Sequence, residues 1–320
     1  MQDIKKDDIA VRIGTRGSPL ALAQAREVKE RLIRAHDHLS DHQVDIIVLS
    51  TRGDRIQDRP LSEIGGKGLF TEEIEAALIA GRIDMAVHSL KDMPTILPDG
   101  LELACYLERE DARDAFISTK VNSLQDLPQG AHLGTASLRR QAQTLALRPD
   151  LKLSILRGNV QSRLKKLDEG VVDATYLAMA GLRRLAVSSD LQDARIHPID
   201  SADFLPAAGQ GAICIEIATI NSAARALLVP LNHQATEICV RAERVMLDIL
   251  DGSCRTPIAG YATVKAGVIN LKGWVSLPDG SEAYSFESQD TDPEALGRTV
   301  GHALRDQAGP AFFEKLNKGG

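Results

Sequence analysis

The chain has 320 residues, enough for two or three domains with cores of their own. A hydrophobic fraction of 43% and a charged fraction of 26% are those of an ordinary globular protein, while a net charge of -6 and an aromatic fraction of 3% argue against nucleic-acid binding, which needs cationic surface and stacking platforms. The N-terminus holds no apolar leader, and no later stretch has the uninterrupted apolar length of a membrane span, so the sequence predicts a cytoplasmic protein with no membrane partner.

Ile9 to Ile13 predicts a first strand, leading through Gly14-Thr-Arg-Gly-Ser-Pro-Leu20 into a helix. Ser18 has the chemistry of an N-cap and Pro19 that of a first helical residue, with Ala21, Ala25, Val28 and Leu32 on one apolar face. The free N–H groups there, with Arg16 just before them, make an anion site. Val44 to Leu49 predicts a second strand, ending in Thr51-Arg-Gly-Asp54. Gly65-Gly-Lys-Gly-Leu-Phe70 is too glycine-rich to pack tightly by itself, which suggests a mobile loop over a crevice; its glycine spacing is not that of a P-loop.

A helix with Phe70, Ile74 and Leu78 on one face then runs to Gly81. The apolar run Ile83, Met85, Ala86 and Val87 lacks helical periodicity and empties into His88-Ser-Leu-Lys-Asp-Met-Pro94. This is the pattern of a buried parallel strand ending in a loop, and ligands of open α/β sheets bind outside such strand ends. Asp92 is the first candidate for chemistry, with Ser89 and Lys91 beside it; a solvated acid that turns the chain before Pro94 is the plain alternative.

After a strand from Leu101 to Leu107, the charged run Glu108 to Asp114 suggests a crossing between lobes. A second α/β unit follows: strands near 131–134, 151–156 and 172–177 alternate with helices from about Ser137 to Leu147 and from Val160 to Glu169, the latter capped by Asn159. Gly81-Arg-Ile-Asp and Gly170-Val-Val-Asp echo one another as helix-ending glycines before strands. Two such lobes would enclose a cleft. The apolar stretch Ala212 to Ala218 suggests a central strand returning to the first sheet. A helix-rich stretch from Asn232 to Leu250, three short β runs and a last helix near Pro293 to Gln307 then make a smaller α+β domain. The predicted division is 1–107 with 206–228, then 108–205, then 229–320.

Arginines gather at strand ends of the second lobe: Arg139 and Arg140 in a first helical turn, Arg157 after a strand, Arg163 one turn into a helix, then Arg183 and Arg184. A helix N-terminus disfavours cations, so the repetition points to a cleft lined with forks for carboxylates or phosphates. Solvated arginines are the plain alternative for any single one. The four cysteines have neither metal spacing nor a disulfide framework. Cys105, Cys214 and Cys239 sit among apolar residues as small core side chains, whereas Cys254 lies in the polar turn Asp251-Gly-Ser-Cys-Arg-Thr-Pro257, beside an arginine that favours the thiolate.

Eight motifs in order, Arg16-Gly-Ser-Pro-Leu-Ala-Leu22, Thr51-Arg-Gly-Asp54, Gly65 to Phe70, Val87 to Asp92, Ser137-Leu-Arg-Arg-Gln141, Leu156-Arg-Gly-Asn159, Leu205 to Ala212 and the Cys254 turn, together resemble the porphobilinogen deaminase (hydroxymethylbilane synthase) family. The sequence departs from the family pattern at Gly17, Ala136 and Arg255-Thr256. The resemblance implies an α/β fold of two periplasmic-binding-protein-like (type II) lobes with a smaller α+β C-terminal domain. It also implies a dipyrromethane cofactor, thioether-linked to Cys254, that is extended by four porphobilinogen units before the linear tetrapyrrole is released.

By the same resemblance Asp92 assists loss of ammonia and steadies positive pyrrole nitrogens. Arg16, Ser18, Lys91, Arg139, Arg140, Arg157, Arg163 and Arg184 hold acetate and propionate side chains, with Ser89, Thr135 and Ser137 in the same set. Lys67 and Phe70 lie on the loop. No metal is expected, and the chain is expected to be monomeric. The competing reading, a cytosolic two-lobed sensor of a small anion, explains the lobes and arginines but has no use for Cys254.

Overall fold

A computed structural model describes residues 10–55, 71–185, 195–250 and 256–318. Three sheets organise them. The first has the order β2-β1-β3-β10-β4, from β1 (Val11–Arg16), β2 (Val44–Leu49), β3 (Met85–Ser89), β4 (Leu101–Tyr106) and β10 (Ile213–Ala218). The second has the order β7-β6-β8-β5-β9, from β5 (Asp114–Ser118), β6 (His132–Gly134), β7 (Lys152–Ser154), β8 (Ala174–Ala178) and β9 (Ile196–Pro198). The third is the meander β11 (Ile258–Lys265), β12 (Val268–Ser276) and β13 (Ala283–Asp290).

In the first sheet β1 pairs in parallel with β2 and β3, whereas β10 lies antiparallel between β3 and β4. The second sheet repeats this plan, with β6 parallel to β7 and β8 and β5 antiparallel to β8. The fold class is therefore α/β with two lobes of periplasmic-binding-protein-like sheet order and a smaller α+β part. By compactness the described chain forms two units, one of residues up to 109 with Ala212–Glu237, the other of Glu110–Gly211 with Ile238–Gly320.

Local sequence accounts for most elements. Helix α1 (Pro19–Ala35) starts at Ser18, whose side chain accepts from the Ala21 N–H, and buries Ala25, Val28 and Leu32 against β1 and β3. A single turn, α2 (Arg52–Arg55), and helix α3 (Glu72–Ile79) follow. Gly81 and Gly170 both have left-handed backbone (φ 64° and 73°), the conformation that ends a helix and that glycine adopts without a Cβ penalty. Helix α4 (Leu138–Leu147) is capped by Ser137, and α5 (Val160–Asp168) by Asn159. Helix α6 (Met179–Arg184) and helix α7 (Ser222–Leu228) are short.

The C-terminal part has a core of its own, in which α8 (Gln234–Ile249) and α9 (Pro293–Lys318) supply Ala242, Met246, Leu296, Val300 and Leu304 against the third sheet. Fully buried Glu243 ties it to the second lobe, accepting from the Gly209 N–H at 2.6 Å and from the Ala262 N–H at 2.7 Å. Helix α9 extends beyond the expected Gln307, broken at Gly309 before Pro310. Two strands were not evident in the sequence. β5 begins at Asp114, inside the charged run taken for a crossing, and is buried throughout, so it shows no alternation; β9 has only three residues.

Candidate active site

In the first unit, β3 ends at Ser89 and a tight 3-10 turn, Leu90–Asp92, carries the chain around the strand end. The turn is anchored by the Leu90 N–H to the Ala212 carbonyl, 3.0 Å, and by burial of Leu90 and Met93, which leaves Asp92 exposed between two apolar anchors. Asp92 borders a small open cleft whose lining includes Arg16, Ser18, Gln24, His88 and Ser89. Arg16 is the last residue of β1, and Ser18 is the cap of α1, so parallel strand ends and a helix N-terminus meet there. Ser89 is held by Gln24, whose Nε2 lies 2.8 Å from the Ser89 Oγ. Lys91 is half-buried on the same turn.

In the second unit the arginines divide into two kinds. Arg139 and Arg140, 5% exposed each, clamp Asp114, which is fully buried. Arg139 Nη2 and Arg140 Nη2 each lie 2.7 Å from an Asp114 oxygen, and Nη1 of each donates to a carbonyl, of Leu205 and Tyr176 respectively. Gln210 Nε2 adds a 2.9 Å bond to Asp114. Burial opposes ionisation of Asp114, but the two guanidiniums overcome it and hold the carboxyl far below the usual range. The Nε of both arginines has no hydrogen-bond partner among the described residues.

Arg157 and Arg163 are the other kind. Arg163, one turn into α5, donates Nε to the Gly158 carbonyl at 2.8 Å. Burial, then the charges of Arg140 and Arg157, push its guanidinium down to about 10. The positive charges of Arg140 and Arg157 oppose a further cation at Arg163, and a bound anion would offset them. Thr135 is buried and its Oγ1 accepts from the Ser137 N–H. Arg183 is engaged by Glu110 and Asp111, while Arg184 Nη2 donates to the Gly211 carbonyl. Lys67, Phe70 and Cys254 lie outside the described residues.

Residues 11–226 match the family model described as porphobilinogen deaminase, dipyromethane cofactor binding domain, and residues 237–306 match its C-terminal domain. The chain belongs to the porphobilinogen deaminase family. It is 52% identical over 315 residues to a porphobilinogen deaminase of Nitrobacter winogradskyi and 51% identical to that of Nitrobacter hamburgensis, covering 98% of this chain and of each relative. Among solved structures, a periplasmic substrate-binding protein of an ABC transporter from Coxiella burnetii is 16% identical over 71% of this chain and 94% of its own, with a TM-score of 0.42.

Family membership disfavours the non-catalytic anion sensor and brings with it the dipyrromethane cofactor. The second unit fits such a group on its own evidence: a dipyrromethane with acidic side chains would meet the cationic cluster of Arg140, Arg157 and Arg163 and the unpartnered Nε atoms of Arg139 and Arg140. Asp114, Gln210 and Glu243 were not evident as site-building residues in the sequence. Asp114 lay in a charged run with nothing to mark it as buried, and the glutamine and glutamate find their partners only across the fold.

Proposed function

We propose that Asp92 is the carboxylate at which this family's deaminating transfer takes place, and that Cys254 carries the dipyrromethane primer through a thioether. The activity condenses four porphobilinogen molecules head to tail and releases hydroxymethylbilane, in haem and tetrapyrrole biosynthesis. The observation that carries the assignment is an exposed carboxylate fixed on a tight turn, in one cleft with Arg16, Ser18 and Ser89.

When bound, the dipyrromethane supplies a tethered, electron-rich pyrrole that accepts the first unit. Asp92 stabilises the positive charge that develops on the porphobilinogen aminomethyl carbon and ring nitrogen as ammonia departs. A carboxylate already fixed in place does this without the reorganisation water would need. Arg16, Ser18, Ser89 and Lys91 bind acidic side chains on the first lobe. Arg139, Arg140, Arg157, Arg163 and Arg184 do so on the second, with Thr135 and Ser137 in the same set, and Lys67 and Phe70, outside the described residues, are assigned to it as well.

A chain that gains two carboxylates with each ring requires this many cations. The chain is assigned to the cytoplasm as a monomer, in three parts: 1–107 with 206–228, 108–205 and 229–320. Intact-protein mass tests the assignment. The purified protein should exceed its polypeptide mass by one dipyrromethane, and Cys254→Ala should show the bare mass. An adduct retained by Cys254→Ala would move the attachment elsewhere, with Cys239 the nearest cysteine in sequence. Asp92→Asn should carry the adduct yet lose turnover; turnover like that of the wild type would sink the role of Asp92.

A further inference from the structure

The cleft that holds Asp92 is also bordered by a histidine to which the proposed function gives no task. His88, 6% exposed, sits one residue before the end of β3, and its Nε2 lies 3.2 Å from Glu216 Oε2. Sheet register brings the two together. His88 is paired with Cys214 on antiparallel β10, and Glu216 lies two residues along the same face. The Cys214 thiol donates to the His88 carbonyl oxygen.

Glu216 is fully buried, and its Oε1 has no hydrogen-bond partner among the described residues. From α3, Glu75 brings a second buried carboxylate, whose Oε1 is likewise without a partner. Burial raises the Glu75 carboxyl above its ordinary range and Glu216 adds to this, against the opposing influence of Thr71 and His88. The other polar groups lining the cleft are Arg16 from β1, Ser18 and neutral Gln24 at α1, Thr71 before α3, and Ser89 and Asp92 at the end of β3. An apolar side chain at 88 or 216 would avoid the cost of burying these groups, so packing alone does not account for them.

A carboxylate only accepts hydrogen bonds. A neutral His88 facing Glu216 therefore carries its proton on Nε2 and keeps a lone pair on Nδ1. Protonation of Nδ1 then gives an imidazolium whose Nε2–H already faces the Glu216 carboxyl group. We propose that His88 is a second proton-transfer group of this site and that Glu216 is its positioning residue. Nδ1 accepts the ring proton displaced at each condensation, and the imidazolium hands it to the departing ammonia. This rests on the deaminating transfer assigned above.

The step balances. Porphobilinogen enters as the ammonium form. Its carbon–nitrogen bond breaks, with the electron pair leaving on ammonia. A carbon–carbon bond forms to the accepting pyrrole carbon, whose carbon–hydrogen bond breaks. The proton released there travels through Nδ1 to the ammonia, which leaves as ammonium, and His88 returns to the neutral form with no further reactant consumed.

The test uses cofactor-loaded enzyme, with loading verified by mass. Long-range proton–nitrogen correlation spectra, assigned with His88→Gln, should show the Nε2–H tautomer in the wild type, and kcat should fall at low pH as Nδ1 becomes protonated. In Glu216→Gln the imidazolium loses its counter-ion, so this acid limb should move to lower pH. Plateau kcat should drop about tenfold with KM unchanged, the scale of losing a group that orients a reacting histidine. Glu216→Asp should restore part of both, and it serves if the glutamine variant fails to fold.

An unmoved acid limb in Glu216→Gln, or an Nδ1–H tautomer in the wild type, overturns the proposal. Asp92→Asn separates the two levels. Turnover surviving that change breaks the reading of the whole cleft. Turnover lost in Asp92→Asn, together with a Glu216→Gln profile superimposable on the wild type, breaks the role of His88 alone.

Discussion

Asp92 and Asp114 are two aspartates at strand ends, one in each five-stranded lobe, and they have opposite environments. Asp92 follows β3 on a turn, exposed in a cleft. Asp114 opens β5 with no exposed surface, and Arg139, Arg140 and Gln210 surround it. A carboxylate is available to balance a substrate's charge only while its own counter-charges come from that substrate. One already paired within the protein builds the site without reacting in it. Under the proposed function the first lobe presents the reacting anion, and the second presents cations, of which Arg139 and Arg140 are placed by a buried anion.

The largest effect that could break this contrast is at Asp92. Asp92→Asn should lower turnover by about 10⁴-fold, roughly 5 kcal/mol in barrier height, while the melting temperature stays near that of the wild type. Asp114→Asn should do the reverse, costing about 4 kcal/mol of stability because two guanidiniums lose their buried partner; urea unfolding measures it.

The pH dependence follows from the same residue. The folded-state pKa of Asp114 lies below its unfolded value, so its contribution is complete above about pH 4 and is lost as the pH falls from there. The acid unfolding limb of Asp114→Asn should accordingly be shallower than that of the wild type. If instead Asp114→Asn were stable and inactive, the division of labour between the two aspartates would be wrong.

Smaller changes sharpen the picture of the second lobe. Arg163→Gln removes a partly buried cation beside Arg140 and Arg157, and should stabilise cofactor-free protein by about 1 kcal/mol while lowering the fraction of protein loaded with dipyrromethane. Calorimetry of the apo protein and mass of the loaded protein read the two effects separately. Asn159→Ala removes the cap of α5, whose side chain accepts from the Ser162 N–H at 2.8 Å, and should cost about 1 kcal/mol.

Much of this architecture was legible from local chemistry. Ser18, Ser137 and Asn159 begin helices because their side-chain oxygens satisfy the first free N–H groups. Gly81 and Gly170 end helices because a left-handed residue is required there. The run from Ala212 to Ala218, apolar apart from Glu216, announced a central strand, and β10 is that strand. Cys105, Cys214 and Cys239 are buried, as their apolar neighbours suggested, and burial pushes the Cys105 thiol up to about 12.

What sequence could not show was which arginines clamp a buried acid. Arg139, Arg140, Arg157 and Arg163 all follow strand ends in the same fashion, and one-dimensional spacing treats them alike. Asp114 decides between them. It lies 25 and 26 positions away from Arg139 and Arg140 in a run of charges with no sign of burial, and only the sheet places β5 beside β8 and brings the carboxylate under both guanidiniums. Likewise His88 and Glu216 are 128 positions apart and meet through an antiparallel register.

Caps, turns and buried strands depend on neighbours within a few residues, so the sequence by itself determined them, along with the motifs that mark the family. The pairing of buried charges depends on which strands become adjacent and in what register. Only the tertiary structure decided that, because the desolvation that makes such pairs consequential does not exist until the lobe has closed around them.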